Sequence, residues 1–327
     1  MRFSLRLNND VTVEQFVAIA RLAERYGFDQ LWVSNDLFLR SAPVLLTAAA
    51  KETERIRLGT GILNPYSIHP AEIAMMAATL QEVSEGRFLL GIGAGAEEFL
   101  GWAGIERLQP LRRTREAVEA LRALLEGGKP EATSGFGWDD EAFIRVPARR
   151  TPIYIGAMSP RMRALAGEIA DGVLPLLFPP EIFPDIAEEI RRGAEDAGRD
   201  ANEVDVAACV WVSIDADPER ARRPLAEKIA YYGPSISPDL LARLGLTPAD
   251  FDQVAAALRA GSLDRAASLV TEQMLRIGIA GDPDEVTRRC GGLVEAGARH
   301  LSFGPPLGPD PEAAVTQLGE RVLPEFR

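Results

Sequence analysis

Three observations in the sequence predict an α/β fold, a (β/α)8 TIM barrel. Short β-rich runs alternate with amphipathic helical stretches through all 327 residues. Runs such as Phe88–Ile92 are continuously apolar, as parallel strands buried on both faces are. The polar, glycine-rich points follow the strands, where a barrel carries its ligand site. An open, doubly wound sheet is the alternative.

Phe3–Leu7 alternates and reads as the first strand. Val13–Tyr26 is an amphipathic helix with Phe16, Ile19, Ala20 and Ala23 on one face, ended by Gly27. Gln30–Ser34 is the second strand and Pro43–Lys51 an Ala/Leu-rich helix. Arg55–Thr60 is the third strand. Gly61–Pro65 breaks the pattern, and Pro70–Val83 resumes at helical spacing with Gly86 just past its end. Phe88–Ile92 closes this βαβ unit as the fourth strand. Glycines at both strand ends (Gly59, Gly61, Gly91, Gly93, Gly95) are expected to let a flat ligand approach the backbone. Ala96–Pro110 reads as a long loop, and Arg113–Glu126 as a helix ended by Gly127-Gly128. Thr133–Arg150 reads as a loop or hairpin. Pro152–Ile155, Gly172–Leu176 and Val204–Ser213 are strands five to seven, with helices Pro160–Ile169, Pro180–Ala197 and Glu219–Tyr232 after them. Pro234, Pro238 and Pro248 punctuate an irregular region, Gly233–Gly278. Asp282–Ala296 is a helix with Asp282 as N-cap, Pro283 at N1 and Glu285 at N3. His300–Phe303 is strand eight and Pro311–Val322 the last helix.

Composition narrows the function classes. The chain is 46% hydrophobic and carries a net charge of −12, from 36 basic against 48 acidic residues. That argues against a nucleic-acid partner, since phosphate contacts need clustered Lys and Arg. No apolar run approaches the ~20 residues of a membrane span, and the N-terminus does not read as a signal peptide. Two cysteines, Cys209 and Cys290, make no disulfide framework, so a cytoplasmic protein is expected. With two histidines, His69 and His300, and no His/Cys cluster at ligand spacing, no metal site is expected.

Several short motifs carry chemistry. Gly91-Ile92-Gly93-Ala94-Gly95-Ala96 can be laid on the dinucleotide fingerprint, but no helix N-terminus follows it at once, which argues against a Rossmann site. Gly156-Ala157-Met158-Ser159-Pro160 runs from strand through a small-residue turn into a helix. It would hold a phosphate at the helix N-terminus, or would be an ordinary turn with Ser159 as cap. Asn35, Asp36, Glu97 and Glu98 stand at strand ends, as solvated loop residues or as site residues. Arg6 lies within a strand between Leu5 and Leu7. If it faces inward it must meet a carboxylate or a ligand.

The segments MRFSLR, LWVSND, LGTGILNPYSIHPAEIAMMAATLQEVSEGRFLLGIGAG, PIYIGAMSPRMRALAGEIADGVL and FGPPLGPD together resemble the luciferase-like flavin/deazaflavin oxidoreductase superfamily. The resemblance is nearest to its F420-dependent methylenetetrahydromethanopterin reductase branch and covers nearly the whole chain. It implies a single barrel domain over 1–327 with an insertion between strand 7 and strand 8, at about 233–278. It implies F420, or FMN as in relatives, across the strand ends. The function so implied is F420-dependent hydride transfer to or from a small organic, pterin- or folate-like substrate. The alternatives are an FMN-dependent monooxygenase and a non-catalytic flavin-binding barrel. The resemblance also implies a homodimer or higher homo-oligomer. By resemblance, Gly61-Ile62 matches a non-proline cis peptide behind the ring, and Gly156, Ala157 and Met158 match the segment holding the cofactor's phosphate. Ser34, Asn35 and Asp36 match a turn near the reactive ring edge, and Asn64, Gly93 and Gly172 match cofactor-side positions. Three departures stand out: Arg6 and Ala96 replace acids, and Asn35-Asp36 replaces an Asp-His pair. Asp36 with Glu97 or Glu98 is therefore the expected proton-handling set, and Arg6 the expected substrate anchor.

Overall fold

The computed structural model describes residues 1–132 and 135–327. The expectation of a loop or hairpin from Thr133 therefore begins outside the described residues. The chain divides into two compact units, one of residues 4–175 and 186–207, the other of 1–3, 176–185 and 208–327.

The first unit alternates β1 (Arg2–Leu7, entering at Ser4), α1 (Val13–Arg25), β2 (Gln30–Val33), α2 (Ala42–Ala50), β3 (Arg57–Thr60), α3 (Pro70–Val83) and β4 (Phe88–Ile92). It continues with α4 (Glu97–Trp102), α5 (Pro110–Leu125), β5 (Ile153–Gly156), α6 (Pro160–Ile169), β6 (Gly172–Leu174), α7 (Phe183–Asp196, from Ile186 onward in this unit) and β7 (Asp205–Val206). Each strand pairs in parallel with the next, in chain order. Parallel neighbours need a crossover, and the helices supply it. Local signals set most boundaries. Thr12 and Gln15 form a capping box on α1, and Ser159 Oγ accepts from Met162 N on α6.

Three expectations change. The loop Ala96–Pro110 contains α4, a short helix that buries Leu100. α5 begins at Pro110, since proline suits a first helical position. No strand occurs among residues 135–150, so this stretch is a loop and not a hairpin.

The N-terminal strand ends are held by charges spent on the backbone. The Glu24 carboxylate accepts from the N–H groups of Glu54, Arg55 and Ile56. Burial pushes this carboxyl up, but the three N–H groups outweigh it and hold it below its ordinary 4.5. The Arg87 guanidinium donates to the carbonyls of Ala50, Thr53, Ile56 and Ser84 and to Thr53 Oγ1.

In the second unit β8 (Ala208–Ile214) lies between β9 (Ile279–Gly281) and β10 (His300–Leu307), all parallel. The predicted strand Val204–Ser213 is thus two strands, β7 and β8, parted at Ala207. β9 is a strand the sequence did not announce. Helices α8 (Pro218–Tyr232), α9 (Pro238–Ala242), α10 (Asp252–Arg259), α11 (Leu263–Ser268) and α12 (Glu272–Leu275) share an apolar cluster that includes Trp211, Leu225, Ile229, Phe251 and Ile277. α13 (Pro283–Glu295) is capped as expected, Asp282 Oδ1 accepting from Glu285 N at 2.9 Å. Both cysteines are buried, and burial pushes the Cys290 thiol up to about 12. α14 (Pro311–Gln317) is shorter than expected and passes into a π-turn at Leu318–Val322.

Candidate active site

The Gly61–Ile62 peptide is cis, as the resemblance implied. Beyond it Leu63 N donates to Gly91 O (2.9 Å) and Gly93 N to Leu63 O (3.0 Å), so the chain rejoins β4 after the kink. Thr60 Oγ1 serves Gly91 as both donor and acceptor, at 3.0 Å each. The Ile62 side chain lies over β4 and β5. A Cβ at Gly93 would stand 3.3 Å from Ile62 Cγ1, and one at Gly156 3.0 Å from Ile62 Cγ2.

This corrects the expectation that the strand-end glycines open the backbone to a ligand. The protein itself occupies most of the space. A Cβ at Gly59 would lie 2.3 Å from Trp32 Cε3, one at Gly91 1.8 Å from Thr60 O, and one at Gly95 3.2 Å from Asn64 Cβ. Gly61 alone of the five has ordinary room, with Trp32 Cβ nearest at 3.5 Å.

Gly172, expected on the cofactor side, is the first residue of β6, and a Cβ there would meet the Tyr154 ring at 2.2 Å. The glycine makes room for a buried floor. Trp32 and Tyr154 pack at 4.8 Å between ring centroids. Trp32 Nε1 donates to Gln30 Oε1 (2.9 Å), Gln30 Nε2 to the Tyr154 hydroxyl (3.3 Å), and that hydroxyl to Asp205 Oδ2 (2.7 Å). Each buried polar atom of the series has a partner, which is what burial demands. Arg6 is half-buried and in register with Trp32, hence on the same sheet face, and it has partners of its own.

The turn after β2 is clamped by Asn9, which is fully buried. Asn9 Nδ2 donates to Asp36 O (2.9 Å) and Arg40 O (2.7 Å), and its Oδ1 accepts from Ser34 Oγ (2.9 Å) and Asp36 N (3.3 Å). Ser34 is thus engaged within the turn, and Asn35 Oδ1 accepts from Ala42 N at the start of α2 (3.0 Å). Asn64 Oδ1 accepts from Tyr66 N, Ser67 N and Ser67 Oγ, closing the turn before α3. His69, expected in a turn, caps that helix through Nδ1 to Ala71 N.

Asn35, Asp36, Gly61, Ile62 and Asn64 line one cavity of about 90 Å³ together with Gly95, Ala96 and Phe99. The structure therefore brings together seven of the residues singled out in the sequence. Glu97 and Glu98 are not among its walls. Glu97 is exposed and pairs with Arg107 (2.6 Å), whose other arm reaches Gly95 O, and Glu98 is exposed on α4. The third segment, Gly156-Ala157-Met158, leads into the N-terminus of α6. Gly156 abuts Ile62, Ala157 is buried, and Met158 is half-exposed with its carbonyl held by Arg163 Nη1 at 2.7 Å. Sequence reasoning gave no role to Asn9, a polar residue in the polar loop after the first strand. It also missed Phe38, whose signal was an apolar run, Leu37-Phe38-Leu39, inside a loop, and took Trp102 for packing, although that ring is exposed. Among the described residues no group of three or more His, Cys, Asp or Glu side chains is placed to hold a metal ion.

The donor set fits a flat ring with an anionic tail. Ile62 supplies an apolar surface beside side-chain-free Gly93 and Gly156. Asn35, Asp36 and Asn64 form a polar edge, and the start of α6 offers N–H groups to an anion.

The chain is similar to known proteins over its whole length. A 5,10-methylenetetrahydromethanopterin reductase from Methanolobus tindarius is 35% identical over 326 residues, covering 99% of this chain and all of that one. An F420-dependent glucose-6-phosphate dehydrogenase from Nakamurella multipartita is 31% identical, covering 99% and 97%. The solved coenzyme F420-dependent tetrahydromethanopterin reductase of Methanopyrus kandleri superposes with a TM-score of 0.93 at 33% identity, covering 100% and 99%. The fold is accordingly TIM-barrel-like. The model of the luciferase-like monooxygenase family matches residues 1–300, and the chain belongs to that family.

Proposed function

We propose that this protein is an F420-dependent oxidoreductase that moves a hydride between the deazaflavin and a small organic substrate. One observation carries the reading: whole-length likeness to two enzymes whose names specify F420, although their substrates differ. Bound F420 would supply the hydride chemistry; the protein's part is positioning and electrostatics. Ile62 would support the ring from behind, Asn64 and Gly93 would border it, and the Gly156–Met158 turn would receive the phosphate. Hydride transfer needs the reacting carbons about 3–3.5 Å apart. The clamped Ser34–Asp36 turn would hold that spacing at the ring edge.

Asp36 is the proton-handling group of this proposal, because it lines the cavity while Glu97 is taken by Arg107 and Glu98 faces solvent. Arg6 would anchor an anionic group of the substrate. We further read the chain as a cytoplasmic homo-oligomer. Val44 on α2 and Met75 on α3 are 60% exposed, which suits a subunit contact, and the net charge of −12 argues against nucleic acid.

The test is a side-by-side titration with F420 and FMN. F420 is expected to bind at least about tenfold tighter, a difference near 1.4 kcal/mol. Tighter FMN with NADH-driven oxygen uptake would instead mean a monooxygenase, and binding without turnover a non-catalytic barrel. In the same series Asp36→Asn should keep F420 affinity and lose about a hundredfold in turnover. Arg6→Ala should keep F420 affinity and raise KM, and an unchanged KM would remove the anchor role.

A further inference from the structure

Beside the cavity the protein displays aromatic surface to solvent. Phe38 is 69% exposed and Trp102 58% exposed. Their ring centroids are 6.4 Å apart, and Phe99 packs on Trp102 at 4.9 Å. Phe99 and Leu37 line the cavity itself, so the aromatic surface continues from it. Phe38 holds a φ of +68°, a left-handed conformation that residues with side chains rarely adopt. Its turn is not loose, since buried Asn9 fixes the carbonyls of Asp36 and Arg40, and Arg40 N donates to Asn9 O. An exposed phenyl group on a clamped, left-handed turn beside a site has the marks of a ligand contact.

We infer that Phe38 and Trp102, with Phe99 behind them, form a shelf on which a flat heterocyclic ring of the substrate lies. The inference rests on the F420 reading and narrows its substrate class. Phe38 and Trp102 already touch, so a ring lies across their open faces rather than between them. Asp36, Glu97 and Glu98 are the acids nearby; of the cations, Arg107 is committed to Glu97 and Gly95 O, and Arg40 of the same turn donates to Asp10 O. Such a rim repels a phosphate on the shelf itself and accepts a neutral or cationic ring there, leaving Arg6 to meet an anionic group elsewhere on the same substrate. The shelf thus favours a planar ring substrate over a sugar phosphate.

The test is calorimetric titration of the F420-loaded protein with folic acid, as a pterin-ring probe, and with glucose 6-phosphate. The variants are Phe38→Ala, Trp102→Ala and the pair, with F420 affinity and oligomeric state measured on the same samples. The expected result is saturable folic acid binding, weakened at least about tenfold in the double variant while F420 affinity holds, and no heat from glucose 6-phosphate. Folic acid binding unchanged in the double variant, or glucose 6-phosphate binding in its place, would overturn the inference. So would a change of oligomeric state with folic acid affinity intact, since the shelf would then be a subunit contact. Loss of F420 binding by the wild-type protein, with folic acid still bound on the shelf, would defeat the cofactor reading and leave the shelf standing.

Discussion

The two ends of the first unit's strands are built on opposite terms. At the N-terminal ends, charged side chains are used up on backbone: Glu24 takes three N–H groups, and Arg87 fills four carbonyls and a hydroxyl. At the C-terminal ends a neutral residue, Asn9, does the holding, and apolar rings stand in solvent. Conservative stability work at one end and exposed binding surface at the other is the division expected of barrel proteins. It also separates mutations that unfold the protein from mutations that blunt its site.

The sharpest break in that comparison would come from Arg87. Arg87→Ala strands several carbonyls and should cost roughly 3 kcal/mol, read as a lowered Tm and denaturant midpoint, with F420 affinity of the folded fraction unchanged. An altered affinity would mean that the two ends are coupled. Asn9→Ala should cost less, about 2 kcal/mol, but should act at the site as well. With the Ser34–Arg40 turn released, folic acid and F420 should both bind more weakly, and unchanged titrations would show that the turn keeps its shape without the clamp. The smallest effect belongs to Glu24. Its folded-state carboxyl lies below its ordinary value, so its stabilising contribution is present above about pH 4.5 and is lost as pH falls through the lowered value. Glu24→Gln should therefore lower stability slightly at neutral pH and flatten the acid side of the stability curve. An equally steep acid limb in the variant would assign that limb to other carboxylates.

What the sequence disclosed, it disclosed locally. The α13 cap, Asp282 to Glu285, spans three residues and was legible, as were Pro70–Val83, Phe88–Ile92 and Pro160–Ile169. α4 was lost because six residues carry too little periodicity to outweigh their glycine-bearing surroundings. The glycines show the other failure. Gly59 and Gly172 are explained by Trp32 and Tyr154, partners distant in sequence, so the strand-end pattern for Gly59 and the family likeness for Gly172 both pointed to a ligand instead. Of the cavity residues, Asn35, Asp36 and Gly61 are legible as strand-end positions, but Ile62 and Asn64 came from family likeness alone, because no spacing within a strand end reveals which loops will meet. By sequence position Glu97 is as eligible as Asp36, and only its pairing with Arg107, ten residues on, sets it apart.

One buried feature has a practical use. Cys209 and Cys290 are both enclosed, and the Cys290 thiol stays protonated far above neutral pH. Alkylating reagents therefore find no thiolate at Cys290 in the folded protein. A cysteine introduced at an open position would be the reactive one, so a dye can be attached at a chosen point on this molecule without first removing the native sulfhydryls.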